Sequence, residues 1–172
     1  MSTQLPEIDS DSALSLWRAY LEAQGFKESD VAKPVIECFG DSAELAEELL
    51  DAVRYGDKRA TSSMANEYVY WGEQPPKAGN YWVICDGEGK AQIIVHTDSV
   101  ELSSFYEVDA EFAAAEGEGD RSLENWRSEH AKFWTRTHQA MGMTWTPELT
   151  EMPGHEVIQE RFSIVWPAEL AD

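Results

Sequence analysis

The chain has almost no cysteine: among 172 residues only Cys38 and Cys85 carry thiols, far apart in sequence. That excludes a cysteine zinc cluster and a disulfide framework, and both are expected as buried free thiols. No run approaches 18 consecutive apolar residues, so no membrane-spanning helix is expected. The opening Met1-Ser2-Thr3-Gln4-Leu5-Pro6 lacks the basic and apolar regions of a secretion signal, which points to the cytoplasm and away from a membrane. Basic residues are also scarce, with 13 Lys plus Arg against 33 Asp plus Glu, a net charge of −20. A surface of that sign repels polyanions. Nucleic-acid binding draws much of its affinity from Lys and Arg on phosphates. Long duplex nucleic acid is therefore not an expected partner, whereas a neutral nucleoside or a short RNA in a locally basic cleft remains compatible.

Aromatic residues, by contrast, are plentiful. Seven Trp, six Tyr and six Phe, within a hydrophobic share of 42%, supply a core for one domain and argue against disorder. Residues 1–10 read as a loose tail. Asp11 and Ser12 are candidate caps of a first helix with Leu14, Trp17 and Leu21 at helical spacing, stopped at Gly25. A second helix is expected after Gly40-Asp41-Ser42, with Leu45, Leu49 and Val53 on one face. Lys58 to Ser63 then reads as the approach to a strand. Tyr81 to Cys85 and Gln92 to Val95 flank Asp86-Gly87-Glu88-Gly89, a hairpin pattern. Phe112 to Ala115 suggests a short helix. A longer one is expected over Ser122 to Gln139, with Leu123, Trp126, His130, Phe133 and Thr137 on its stripe. Val157 to Trp166 suits a closing strand. Strands interrupted by helices on so short a chain give an α+β domain, with residues 1–34 as tail and extra helix and 35–172 as the main body.

Two segments carry candidate chemistry. Gly56-Asp57-Lys58-Arg59-Ala60-Thr61 is a G-x-K-x-x-T pattern at a helix-to-strand junction. In an extended chain Lys58 and Thr61 point to opposite faces, so they converge only if the residues after Gly56 turn. A lysine here otherwise complements the preceding helix dipole. Glu116-Gly117-Glu118-Gly119-Asp120 is the second segment. It reads either as a solvated acidic loop or as part of a site, because Trp126, Arg127 and His130 follow within one or two helical turns of each other. Carboxylates suit Mg²⁺ or Ca²⁺, but the cluster lacks EF-hand spacing; neither a metal nor another cofactor is expected.

Taken together, F-G-D-S-x-E-L-A-x-E-L-L at 39–50, G-D-K-R-A-T-S-S at 56–63 and E-V-D-A-x-F-A-x-x-E-G-E-G-D-x-S-L-x-x-W-R-x-x-H at 107–130 resemble the ASCH domain over roughly residues 35–167. The resemblance implies a PUA-like mixed β-barrel with flanking helices and a cleft floored by the G-x-K-x-x-T segment. It further implies kinship with small amidohydrolases of N4-acylated cytidine, whose Lys, Thr and Glu triad falls on Lys58, Thr61 and Glu118. Thr61 would attack the acyl carbonyl, Lys58 would take its proton, and Glu118 would orient Lys58 or pass a proton to the leaving amine. Arg59 beside Lys58, Glu116, Trp126 as a stacking surface, Arg127 and His130 complete the candidate substrate-binding set. Two other readings use the same cleft. One is a ribonuclease of short single-stranded RNA, with Lys58, Arg127 and His130 around a phosphorane. The other is a module that binds RNA or a modified nucleoside without turnover.

Overall fold

A computed structural model describes residues 4–172, so the first three residues of the expected tail lie outside the described residues. The elements follow as α1 (Ser10–Gln24), β1 (Val35–Cys38), α2 (Ala43–Arg54), β2 (Ala60–Met64), α3 (Ala65–Trp71), β3 (Tyr81–Cys85), β4 (Ala91–Ser103), α4 (Ala110–Glu116), α5 (Leu123–Ala140) and β5 (Val157–Trp166). The sheet order is β1-β3-β4-β5-β2, with β1 parallel to β3 and the β3–β4 and β2–β5 pairs antiparallel. This is the expected α+β arrangement. No helix among the described residues is long and apolar enough to cross a membrane. The described residues form two compact units, one of residues 4–56, 78–98 and 162–172, the other of 57–77 and 99–161.

In the first unit the hairpin strands are apolar on both sides, which explains why their sequences run Trp-Val-Ile-Cys and Ile-Ile-Val without polar alternation. Val83 and Ile94 meet Ala13, Trp17, Tyr20 and Leu21 of α1. Ile84, Ile93 and Val95 meet Leu50 and Val53 of α2. The cap of α1 is Asp9 rather than Asp11 or Ser12: its carboxylate accepts the Ser12 N–H at 3.0 Å. The Ser12 hydroxyl is engaged elsewhere, accepting from the Ala91 N–H at 3.0 Å. On α2 the buried stripe is Ala46, Leu50 and Val53, one residue on from the expected Leu45 and Leu49. Strand β1 pairs Cys38 in register with Cys85. Both thiols are free, Cys38 only half-buried, and burial pushes both up from their ordinary value.

In the second unit α4, α5 and β2 share a core of Met64, Phe112, Trp126, Trp134, Trp145 and Val157. The buried stripe of α5 is Trp126, His130, Trp134 and His138, in steps of four, where Phe133 and Thr137 were expected. Trp134 takes the place because its ring packs against both Trp126 and Trp145, at centroid distances of 5.8 and 5.6 Å. Helix α3 comes from β-branched and aromatic residues that suit a strand better. Its start is fixed by Glu67, whose carboxylate accepts the Met64 N–H.

Glu67 is buried, and burial, only partly opposed by the Met64 hydrogen bond, pushes its carboxyl up to about 7. His138 does not compensate. Its Nδ1 donates to Trp134 O at 2.9 Å, and burial moves it below its usual value, toward the neutral ring. A carboxyl raised in the folded state contributes stability that is complete below the ordinary value and lost as pH rises through about 7. Glu67→Gln is therefore expected to be more stable than the parent at about pH 8, by at most about 3 kcal/mol, with no gain at about pH 4. Urea unfolding at the two pH values measures the difference.

Candidate active site

Lys58 precedes β2 and is held by the end of α4. The Arg59 N–H donates to Ala115 O at 2.8 Å, and the Arg59 guanidinium donates to Lys58 O at 2.8 Å. The chain bends at Gly56 and runs irregularly over residues 57–59, and β2 begins only at Ala60. Lys58 is 1% exposed. Its ammonium donates to Ala60 O at 2.8 Å, Glu116 O at 3.3 Å, Glu116 Oε1 at 3.4 Å and Glu118 Oε1 at 3.1 Å. Glu116 is the last residue of α4 and Gly117 closes it in the left-handed region, at φ 66°. A Cβ on Gly117 would come within 2.9 Å of the Lys58 Cα and N. Only glycine lets the acidic segment lie this close to the lysine backbone.

Glu116 is 1% exposed, far from the solvated loop residue its neighbours suggest. Its Oε2 accepts from Ser62 Oγ at 2.7 Å, from Trp126 Nε1 and from His130 Nε2 at 3.2 Å. Burial alone would raise this carboxyl. The charges of His130 and Lys58, with the bonds from His130 and Trp126, overcome that and hold it well below the usual carboxylate range. Burial likewise opposes a charged His130. The Glu116 charge and hydrogen bond, aided by Glu118, win and raise it above its ordinary value. The result is two acids and two cations in one hollow. Glu118, with its side chain 25% exposed, is the acid that solvent and a ligand can reach.

The remaining candidates fall outside that cluster or serve it from behind. Alternation along β2 turns Thr61 to the face opposite Ser62, and it stands in register with Glu160. Trp126 is 2% exposed, with His130 stacked on it at 4.2 Å and 18°, so it has no face free for a base. Its role is to hold Glu116. Arg127 turns to Tyr106 O, at 3.1 Å, rather than to Glu116 or Asp120, and its Nε is buried without a hydrogen-bond partner. Ser62 was not singled out from the sequence. Its only signal is its place on the core face of β2 between Ala60 and Met64, which requires the strand register.

Glu116, Glu118 and His130 offer one ligand atom each within 4.8 Å of one another, close enough to gather round a cation. The Lys58 ammonium already touches both carboxylates, so the positive charge that such a trio draws is supplied by the chain itself. In the same unit a cavity of about 260 Å³ is walled by Met64, Met143, Trp145 and Leu149, with Asn66 and His155 at its polar side.

Similar solved structures are protein EF3133 from Enterococcus faecalis V583 and an ASCH domain from Lactobacillus crispatus JV V101. The first is 29% identical with a TM-score of 0.78, covering 90% of this chain and 88% of that one. The second is 24% identical with a TM-score of 0.77, covering 95% of this chain and 98% of that one. The fold is thus the PUA-like α+β fold of ASCH domains. The family description "ASCH domain" matches residues 35–166, and the chain belongs to that family. No curated protein matches it.

Proposed function

We propose that the chain hydrolyses the amide of an N4-acylated cytidine or a close relative. The observation that carries this reading is a buried ammonium, Lys58, held 3.1 Å from the one partly exposed carboxylate of the hollow, Glu118. Glu118 accepts a proton of the attacking water and later returns it to Lys58. The Lys58 ammonium, facing the same point, steadies the developing oxyanion and protonates the leaving amine. The proposed nucleophile is a water beside Glu118, since Thr61 lies on the other face of β2: its oxygen bonds to the acyl carbon, the C–N bond breaks as Lys58 protonates the leaving nitrogen, and cytidine and the free acid are released. Met64, two residues beyond Ser62 on the same face of β2, lines the apolar cavity, and that cavity suits the flat base. The charge of −20 favours a neutral nucleoside over a polyanion.

A ribonuclease would need His130 free to exchange protons with a phosphodiester. Here it is 8% exposed, with one ring nitrogen on Trp126 O and the other on Glu116. The test is N4-acetylcytidine incubated with purified protein, followed by chromatography for cytidine and acetate. Glu118→Gln is expected to lower kcat/KM by about 100-fold or more. Thr61→Ala is expected to retain turnover, because its side chain lies on the other face of β2 from the acids. Ser62→Ala retains turnover and loses about 1–2 kcal/mol of stability, because it leaves Glu116 one donor short. No release of cytidine by the parent protein overturns the proposal, and saturable nucleoside binding without release selects the non-catalytic module. An acyl-enzyme seen by mass spectrometry and lost in Thr61→Ala would replace the water by the Thr61 hydroxyl.

A further inference from the structure

We infer that His130 stands as an imidazolium that claims Glu116 and so reserves the Lys58 ammonium for Glu118, which makes it a positioning residue of the hollow. The inference deepens the proposed function and leans on it only where turnover is measured. The argument is one of donors and acceptors. His130 Nδ1 lies 2.9 Å from Trp126 O, and a backbone carbonyl can only accept. His130 Nε2 lies 3.2 Å from Glu116 Oε2. That oxygen also receives the Ser62 hydroxyl and the Trp126 N–H, so it is an ionised acceptor. Both ring nitrogens must therefore carry hydrogen. A neutral ring would leave one of the two contacts as lone pair against lone pair in a buried site, which is costly.

The other groups that face His130 agree with a charged ring. Trp126 stacks on it at 4.2 Å and Trp134 lies 5.1 Å away, both offering π-faces or edges of α5. Glu116 of α4 faces it directly, and Glu118 in the following loop adds a second negative charge. Lys58 is bonded to both acids, and the two cations divide the acids between them. The Lys58 ammonium is nearer Glu118, at 3.1 Å, than Glu116, at 3.4 Å. Without the imidazolium, the fully buried Glu116 would compete for Lys58, because a buried carboxylate gains most from a partner. Glu118 would then lose the ammonium that completes the proposed chemistry.

Charge balance gives a test that packing alone would not pass. His130→Gln leaves one cation for two acids, and Glu116→Gln leaves two cations for one acid. The His130→Gln, Glu116→Gln double variant restores one of each, with two neutral amides in place of the ion pair. Each single variant is expected to lower the urea midpoint, and the double variant to recover at least about half of the larger loss. Losses that simply add would overturn the inference. A second measurement uses the parent protein as it is: histidine ring ¹⁵N correlation spectra at about pH 7, with His130 assigned by its loss in His130→Gln. Both His130 nitrogens are expected to be protonated; a neutral ring sinks the idea. On N4-acetylcytidine, His130→Gln is expected to cost about tenfold in kcat with KM within about twofold, most of it recovered in the double variant. If that nucleoside is not a substrate, the proposed function fails while the first two measurements still decide the role of His130.

Discussion

Lys58→Met is expected to lower the unfolding free energy by about 3–5 kcal/mol, the cost of leaving a buried acid without its partner. Methionine keeps most of the volume and removes the charge, so the loss reports electrostatics and not a cavity. The damage falls on the fully buried Glu116, which loses the ammonium at its Oε1 and backbone oxygen, whereas Glu118, with its side chain 25% exposed, can turn to water. On the proposed substrate the same variant is expected to lose about 10²–10⁴-fold in kcat/KM, because the group that faces the developing charge is gone. Guanidinium unfolding and a cytidine-release assay on one preparation separate the two losses. A variant as stable as the parent would mean that the ammonium does not compensate the acids. The electrostatic account of the hollow would then fall.

Gly117→Ala is the second large effect. At φ 66° an alanine pays the left-handed cost of about 1–2 kcal/mol, and its methyl would sit 2.9 Å from the Lys58 Cα and N. Backbone atoms cannot swing aside as a side-chain tip can, so the lysine segment must be pushed away. A total of about 2–4 kcal/mol is expected, together with loss of turnover as Lys58 and Glu118 part. Gly142→Ala is the control. It has φ 74° and nothing within 4 Å of its added carbon, so it pays only the conformational part. Thermal unfolding of the pair, side by side, isolates the clash. Equal shifts would show that Lys58 does not rest against this glycine.

Much of the fold was legible where local signals and burial agree. The hairpin of Tyr81–Cys85 and Ala91 onward, the α2 cap at Ser42 and the long α5 all follow from turn residues and periodicity. Helix α3 was not, because Tyr68, Val69, Tyr70 and Trp71 carry strand propensity, and the tertiary setting of Glu67 overrides it. For the site, the sequence brought forward Lys58, Glu116, Glu118, Trp126 and His130, and the structure gathers all five. Their individual places were beyond it. Whether Ser62 or Thr61 faces the acids depends on which residue begins β2. The burial of Glu116 depends on a lysine 58 positions away that no local pattern around the acidic loop discloses.

The end of α4 has one more consequence. A helix so short leaves its last carbonyls without internal partners, and here they are taken by the residues that lead into β2: Ala115 O by the Arg59 N–H and Glu116 O by the Lys58 ammonium. The final turn thus borrows its cap across a long closure of chain, which folding must complete before the cap is gained. During refolding, protection of the Arg59 amide from hydrogen exchange is therefore expected in the same step as the arrival of the acids around Lys58.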